Sequence, residues 1–307
     1  MHGCVGTTDI DWFRFLRARQ PLEEVNFWQP SAHGFSSPPG TPFFFGLKAP
    51  FNVIAGFGIF ARYEPATVRL AWDAFGEKNG AASFAEMKAR VGQYATAGSG
   101  HRVGCIMVAQ PILFDDVDWI PQPSDWKPQV VSTKGYDLSV AEGLRIWTEC
   151  KARAARAPLA PGAAPIVAEP RPAYGAPQLV LPRLGQGTFR VAVTSAYDGS
   201  CAVSGEHSLP VFEAAHIRPY AVAGSHAVPN GLLLRADIHR LFDAGYVTVT
   251  PEHRFLVSQR LQQEFENGKA YYERHGLLIG VPKRREDRPD AELLRWHNEN
   301  VYERPAA

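Results

Sequence analysis

The sequence predicts a mixed α+β protein of two domains joined by a proline-rich linker, and three observations support this prediction. At 307 residues the chain exceeds the usual size of one compact core. Segments rich in aromatic and β-branched residues alternate with segments that carry helix-capping and helix-period patterns. Between the two regions lies a tract with seven prolines, Lys151–Arg183. We therefore place the first domain at 1–150, the linker at 151–182 and the second domain at 183–307.

The first domain shows signals for both strands and helices. Residues 41–63, TPFFFGLKAPFNVIAGFGIFARY, are aromatic-rich and interrupted by Gly and Pro, which predicts short twisted strands with bulges. Ser83 and Glu86 form a capping-box pattern that opens a helix toward Tyr94. Residues 102–110, RVGCIMVAQ, predict a buried strand. Together these signals predict a curved mixed sheet with helices.

The linker cannot form one continuous helix, because each proline lacks an amide donor and clashes with the preceding turn. Its proline and alanine content predicts a semi-rigid spacer. An alternative is an extended arm packed over one domain, since Ile166, Val167 and Leu179 to Leu181 are apolar.

Composition excludes several classes of protein. With 45% hydrophobic and 21% charged residues and no apolar run near 20 residues, we expect a globular protein without a membrane span. The start, MHGCVGTTDIDWF, lacks the pattern of a signal peptide, so we expect a cytoplasmic location. The four cysteines form no C-x-x-C pair, which argues against disulfides and thiolate zinc sites and predicts four buried thiols. A net charge of +1 argues against tight nonspecific binding of nucleic acid.

The second domain has an ordered series of predicted elements. VFEAAHI is a strand candidate, GSHAVPNG a loop, and RADIHRLFDAG a short helix that ends at Gly245. YVTVT and FLVS predict a β-hairpin after that helix.

Four polar residues fall at informative places in this series. His216 ends the predicted strand, where a histidine with a pKa near 6.5 suits a general base. His239 and Asp243 lie at i and i+4 of the predicted helix, so both side chains point to one side and can hold a metal ion. Asn230 lies in the connecting loop, where its amide can brace the backbone between strand and helix.

The segments CAVSG, EAAHIRPY, PNGLLL and DIHRLFDAGYVTV, in that order, resemble the HNH endonuclease family, and in particular its restriction-type branch. The resemblance extends from Phe189 to Ser258. It implies a ββα-metal fold in which His216 is the general base and Asn230 the structuring middle residue. It also implies that His239 is a ligand of a divalent ion, commonly Mg²⁺, with Mn²⁺ as an alternative.

The chain departs from the family at one position. Many relatives carry Asp or His immediately before the base as a second metal ligand, whereas this chain has Ala215. Glu213 shares a strand face with Ala215 by period-two alternation, so it and Asp243 are the candidates for the missing ligand. Because CAVSG lacks the paired cysteines of zinc-binding relatives, we expect no structural zinc. Arg218 and Arg240 flank the site and are candidates for phosphate contacts.

The mixed pattern of the first domain resembles the PUA-like superfamily, which includes the EVE and SRA readers of modified bases. Such readers are often fused to HNH nucleases. A flipped base needs aromatic faces for stacking and polar groups for its edge, and Trp28, Trp126 and Asn26 fit those parts. The alternative is that these residues belong to the core or close a sheet edge.

These resemblances lead us to expect a metal-dependent DNA endonuclease of the modification-dependent restriction or defence type. The expected partner is double-stranded DNA, with modified cytosine as the candidate mark. A homodimer is plausible, because one such centre cuts one strand at a time. Two alternatives stay open: a nucleic-acid binding protein in which Ala215 marks a decayed metal site, and a nuclease that acts on RNA or is triggered by a ligand of the first domain.

Overall fold

The computed structural model describes residues 1–30, 34–94, 102–126, 133–156, 185–222 and 224–302. Contacts between Cα atoms divide the chain into two units, Met1–Thr188 (unit 1) and Phe189–Ala307 (unit 2). Helices and strands occur in both units, which confirms the mixed α+β class. Within the described ranges, no helix is long and apolar enough to cross a membrane. All four cysteines are buried and unbridged, as predicted.

Unit 1 is built on one mixed sheet. Its strands are β1 (His2–Thr8), β2 (Glu24–Gln29), β3 (Pro42–Leu47), β4 (Val53–Thr67), β5 (Arg102–Leu113), β6 (Ile120–Pro121) and β7 (Thr133–Asp137). The strand order is β2-β5-β4-β3-β1-β7, with β6 paired to β4. β1 runs parallel to β3, whereas the other neighbours are antiparallel.

The predicted bulges are present in the aromatic segment. The register shifts between Phe45 and Gly46 in the β3/β4 pair and at two places in the β4/β5 pair. β4 is longer than predicted, with 15 residues, and its glycines lie where β5 approaches closely. A Cβ atom at Gly56 would lie 2.3 Å from the carbonyl oxygen of Ile112. Glycine at this position therefore lets the long strand bend without losing its partner.

Both faces of the sheet in unit 1 are covered. Phe43 and Phe45 belong to one core cluster with Trp12, whereas Phe44 belongs to a second cluster with Ile146. This split follows from the strand period of two, which points successive side chains of β3 to opposite faces. The run PFFFGL is thus apolar throughout because β3 is buried on both sides.

Four helices accompany this sheet. They are α1 (Ile10–Arg17), α2 (Val68–Phe75), α3 (Phe84–Gly92) and α4 (Ala141–Ala154). The predicted capping box begins α3: Ser83 Oγ accepts a hydrogen bond from the Glu86 amide at 3.2 Å, and the Glu86 carboxylate accepts one from the Ala82 amide at 2.8 Å. α4 extends into the segment predicted as linker, of which residues 157–182 lie outside the described residues.

Unit 2 contains the predicted strand, loop and helix in order. Its elements are α5 (Gln186–Ala196), most of which belongs to this unit, β8 (Phe212–His216), β9 (Gly231–Arg235), α6 (Ala236–Asp243), β10 (Val247–Val249), β11 (Phe255–Val257), α7 (Arg260–Phe265), α8 (Lys269–Tyr272) and α9 (Ala291–Asn300). β8 and β9 pair antiparallel, and α6 follows β9 directly. This is a ββα arrangement. The predicted hairpin is confirmed as β10 and β11.

A buried histidine joins α9 to this core. The His297 ring stacks on Phe242 with centroids 3.7 Å apart, Nδ1 lies 2.8 Å from Thr248 Oγ1, and Nε2 lies 3.1 Å from the Phe242 carbonyl oxygen. Burial lowers the pKa of His297 to about 4. The imidazole is therefore neutral in the folded protein at neutral pH.

We predict that the free energy of unfolding of unit 2 decreases as pH falls from 6.5 toward 4. In that range the unfolded chain binds a proton at His297 and the folded protein does not, and the difference amounts to roughly 3 kcal/mol for this group. Urea denaturation at pH 7.5 and pH 5 measures it. His297→Gln should reduce the dependence and leave the part that the equally lowered pKa of His216 contributes, whereas the exposed His207→Gln should not change it. Equal unfolding free energies at both pH values would contradict the prediction.

Candidate functional site

His216 is the last residue of β8 and is partly buried. Its ring stacks on Phe189 with centroids 4.0 Å apart and an interplanar angle of 12°. Its Nε2 lies 2.9 Å from Nδ1 of His226. Burial, and to a smaller extent the nearby His226 and His239, lower the pKa of His216 to about 4. The imidazole is thus neutral at pH 7, which is the state that can accept a proton.

Asn230 is fully buried immediately before β9 and joins the two ends of the loop that follows His216. Its Nδ2 donates to the carbonyl oxygens of Arg218 at 2.9 Å and Ser225 at 2.7 Å. Its Oδ1 accepts from the Arg218 amide at 2.9 Å. The side chain therefore fixes the backbone just after His216, which is the position that the brace hypothesis requires.

We predict that Asn230→Ala lowers the free energy of unfolding of unit 2 by about 2–4 kcal/mol, because three backbone groups lose their partner and a cavity is left. Urea denaturation followed by circular dichroism measures the change. Asn300→Ala is the matched control, since that exposed amide donates only to the Trp296 carbonyl oxygen. A loss below about 1 kcal/mol for Asn230→Ala would count against a bracing role.

His239 lies on α6 between two carboxylates. Its Nδ1 lies 2.6 Å from Glu213 Oε2, and its Nε2 lies 3.3 Å from Asp243 Oδ2. The two carboxylates therefore contact opposite nitrogens of one ring. Of the two candidate carboxylate ligands, Glu213 lies against Nδ1 and Asp243 against Nε2. A carboxylate in contact with one ring nitrogen commonly orients a histidine whose other nitrogen binds a metal ion.

The residues present fit a divalent ion only in part. Among the described side chains, no group of three or more His, Cys, Asp and Glu is arranged to hold a metal ion. His239 Nε2 and Asp243 still offer one nitrogen and one carboxylate on the same helix face. Mg²⁺ commonly keeps several waters and binds through one or two carboxylates and substrate phosphate oxygens. This donor set thus fits an ion whose remaining ligands are water molecules and phosphate oxygens.

Ala215 is fully buried in the core of unit 2. A charged ligand at this position would be buried among apolar side chains, which is costly without a partner. The alanine is therefore explained by packing, and it does not by itself indicate a decayed metal site.

The two candidate phosphate-binding arginines differ in their surroundings. The Arg218 guanidinium donates from Nε to the Val222 carbonyl oxygen at 2.8 Å and lies 5.1 Å from the Trp296 ring. Arg240 is exposed on α6, one residue after His239. Arg218 is thus held in place beside the His216 loop, whereas Arg240 extends into solvent.

The structure separates Trp126 from the other two residues that we predicted to share a base pocket in unit 1. Asn26 is fully buried, and its Nδ2 donates to Asn79 Oδ1 at 2.9 Å. Trp28 donates from Nε1 to the Asn79 carbonyl oxygen at 3.1 Å. Asn26 is inaccessible to a base because β2 is buried on both faces at this position. The prediction that Asn26 contacts a base is therefore wrong, and Trp28 is not among the residues that line the cavity at Trp126.

Trp126 lies elsewhere, at a cavity of about 610 Å³ next to β1, β3 and β4. The indole is partly buried against the second core cluster. Lys48, Asn52 and Gln122 bring an ammonium and two amides to the same cavity, and Thr7 adds a hydroxyl. An aromatic wall with a few polar groups is the usual composition of a small-molecule or base pocket.

Two residues of the site in unit 2, His226 and Phe189, were not predicted from the sequence. His226 looked like a solvated loop histidine, and Phe189 precedes His216 by 27 residues. No local pattern marks either of them. Lys48, Asn52 and Gln122 were missed in unit 1, although the aromatic segment that surrounds Lys48 was recognised as a bulged sheet.

A histidine at a strand end, a buried asparagine in the connecting loop and a histidine on the following helix form one ββα arrangement. Residues 201–250 match the family model described as HNH endonuclease, so unit 2 carries an HNH endonuclease domain.

Solved structures similar to the chain include an ASCH protein and a restriction enzyme. The ASCH crystal structure from Zymomonas mobilis has a TM-score of 0.33 and 12% identity, and the match covers 47% of this chain and 94% of that one. The modification-dependent TagI restriction endonuclease has a TM-score of 0.28 and 14% identity, covering 87% of this chain and 63% of that one. With TM-scores this low, these structures say nothing further about what the chain binds. No curated protein matches the sequence.

Proposed function

We propose that the chain is a metal-dependent endonuclease that hydrolyses phosphodiester bonds in double-stranded DNA, as a modification-dependent restriction or defence enzyme. The observation that carries this proposal is the placement of His216, Asn230 and His239 in one ββα unit, within a segment that matches the HNH endonuclease model.

The residues divide the reaction between them. His216 accepts a proton from a water molecule, whose oxygen then attacks the phosphorus while the sugar oxygen leaves and takes a proton from solvent. His239 and Asp243 would hold a divalent ion, Mg²⁺ or Mn²⁺, which supplies charge stabilisation at the phosphate when bound. Asn230 keeps the His216 loop in place, and Arg218 and Arg240 contact neighbouring phosphates.

Substrate choice is assigned to unit 1. The second domain, residues 183–307, carries 15 Lys and Arg against 15 Asp and Glu, so its nonspecific affinity for DNA should be weak. Productive cutting then requires another part of the chain to hold the substrate. The cavity at Trp126 supplies an aromatic face and polar groups for an extruded base, with modified cytosine as the candidate.

The experiment that tests the proposal incubates the full chain and Mg²⁺ with five substrates: unmodified DNA, 5-methylcytosine DNA, 5-hydroxymethylcytosine DNA, double-stranded RNA and single-stranded RNA. We expect cleavage of DNA, fastest on a modified duplex. Cleavage of RNA alone would favour the RNA alternative, and binding without cleavage of any substrate would favour the binding-protein alternative. Equal cleavage rates on all DNA duplexes would contradict the proposal that the protein recognises a modified base.

We predict that Trp126→Ala reduces the preference for modified over unmodified DNA by about 5- to 150-fold, because base stacking on one aromatic ring contributes about 1–3 kcal/mol. Competitive cleavage of two labelled duplexes measures the preference. Trp28→Phe is the matched control, since the structure places Trp28 away from the cavity. A preference that survives Trp126→Ala but not Trp28→Phe would move the reading site to β2.

A further inference from the structure

His216 and His226 form a direct pair across the loop between β8 and β9. Nε2 of His216 lies 2.9 Å from Nδ1 of His226, which is hydrogen-bond distance. One nitrogen must therefore carry the proton and the other must accept it. Which one donates decides whether His216 can act as a base.

Two arrangements of neutral rings are possible. If His226 Nδ1 donates, then Nε2 of His216 is occupied as an acceptor and its Nδ1 carries the ring proton, so neither nitrogen is free to accept a proton from water. If His216 Nε2 donates, its Nδ1 keeps an available lone pair. The base role of His216 thus requires the second arrangement, with His226 as the acceptor.

The surrounding packing holds both rings in position. The His216 ring stacks on Phe189 at 4.0 Å, and the His226 ring stacks on Tyr220 with centroids 4.6 Å apart and an interplanar angle of 10°. Asn230 donates to the carbonyl oxygen of Ser225, the residue before His226. The same brace that fixes the backbone after His216 therefore also fixes the backbone before His226.

We propose that His226 is a positioning residue for the general base. It accepts the Nε2–H hydrogen bond of His216 and so holds His216 in the tautomer whose Nδ1 takes a proton from water. When Nδ1 gains that proton, His216 becomes an imidazolium that keeps its Nε2 proton, and the lone pair on His226 Nδ1 stabilises the new charge. The kinetic part of this inference rests on the proposed nuclease function.

Two substitutions at His226 distinguish the contribution of its hydrogen bond to His216 from that of its aromatic ring. His226→Phe keeps an aromatic ring against Tyr220 and removes the acceptor. His226→Asn removes the ring and keeps an acceptor oxygen near the place of Nδ1. We expect His226→Phe to lower kcat by about 10- to 100-fold with little change in KM, and His226→Asn to stay within about fivefold of the unsubstituted chain. His207→Ala, in an exposed loop of the same unit, is the control.

The tautomer is measured without any cleavage, by ¹⁵N NMR of histidine-labelled protein at pH 7. The His216 signals are assigned by their loss in His216→Gln. We expect His216 to be protonated at Nε2 in the unsubstituted chain and in His226→Asn, and to populate both tautomers in His226→Phe.

The outcomes are distinct. An Nδ1-protonated His216, or a tautomer unchanged in His226→Phe, overturns the positioning role. So does a kcat that falls equally in the Phe and Asn variants while circular dichroism shows both to be folded. If the unsubstituted chain cuts no nucleic acid, the proposed function fails, and the NMR result alone decides whether His226 sets the tautomer.

Discussion

Replacing His216 with alanine is expected to lower the cleavage rate by about 10²–10⁴-fold, the range attributed to loss of a general base. His216 ends β8 beside the loop that Asn230 braces, where its neutral imidazole can accept a proton. The side chain is only partly buried, so the fold should survive its removal. Rates of nicking of supercoiled DNA under single-turnover conditions measure the effect.

Two further variants control this result. His216→Gln fills most of the space beside Phe189 without a titratable base, and it should be as inactive as His216→Ala. His207→Ala removes an exposed loop histidine and should cut at the unsubstituted rate. Residual activity above about one percent in a folded His216→Ala protein would refute the base assignment.

Removal of divalent metal is expected to abolish cleavage, with recovery on addition of Mg²⁺ or Mn²⁺. His239→Ala should lower the rate at least 100-fold, because it removes the nitrogen beside Asp243. Glu213→Ala should lower it by about 10- to 100-fold, as is typical for a carboxylate that orients a ligating histidine. Cleavage rates as a function of metal concentration measure both effects.

Comparing the metal requirements of the Glu213 and Asp243 variants tests which of the two carboxylates binds the metal ion. If Glu213→Ala requires a larger increase in metal concentration than Asp243→Ala, then Glu213 is the carboxylate ligand and Asp243 is not. Arg254→Ala, in the hairpin of β10 and β11, is a control for changes in unit 2 charge. Full activity in excess chelator would exclude a metal-dependent reaction.

Much of unit 2 was predictable because its signals are local. A strand that ends at His216, a helix with His239 and Asp243 one turn apart, and a terminating Gly245 are all properties of short segments. The bulged strands and the Ser83 capping box of unit 1 were predictable for the same reason.

The partners of those residues were not predictable, because they depend on where the chain returns in space. His226 looked like an ordinary loop histidine. In the fold it lies next to His216, in a loop whose backbone Asn230 holds through a hydrogen bond to Ser225. Asn26 has the chemistry of a base reader, yet the register of β2 against β5 buries it. In both cases the local pattern did not show which other parts of the chain surround the side chain.

The position of β1 in the sheet has a consequence for biosynthesis. β1 is hydrogen-bonded to β3 on one side and to β7 on the other, so its second partner ends at Asp137. A ribosome delivers the chain from its N-terminus, and the nascent β1 therefore keeps an unpaired edge until β7 has emerged. β8 starts at Phe212, well after β7. During translation the unit to which we assign recognition can complete its sheet before the histidines of the cutting unit have been synthesised.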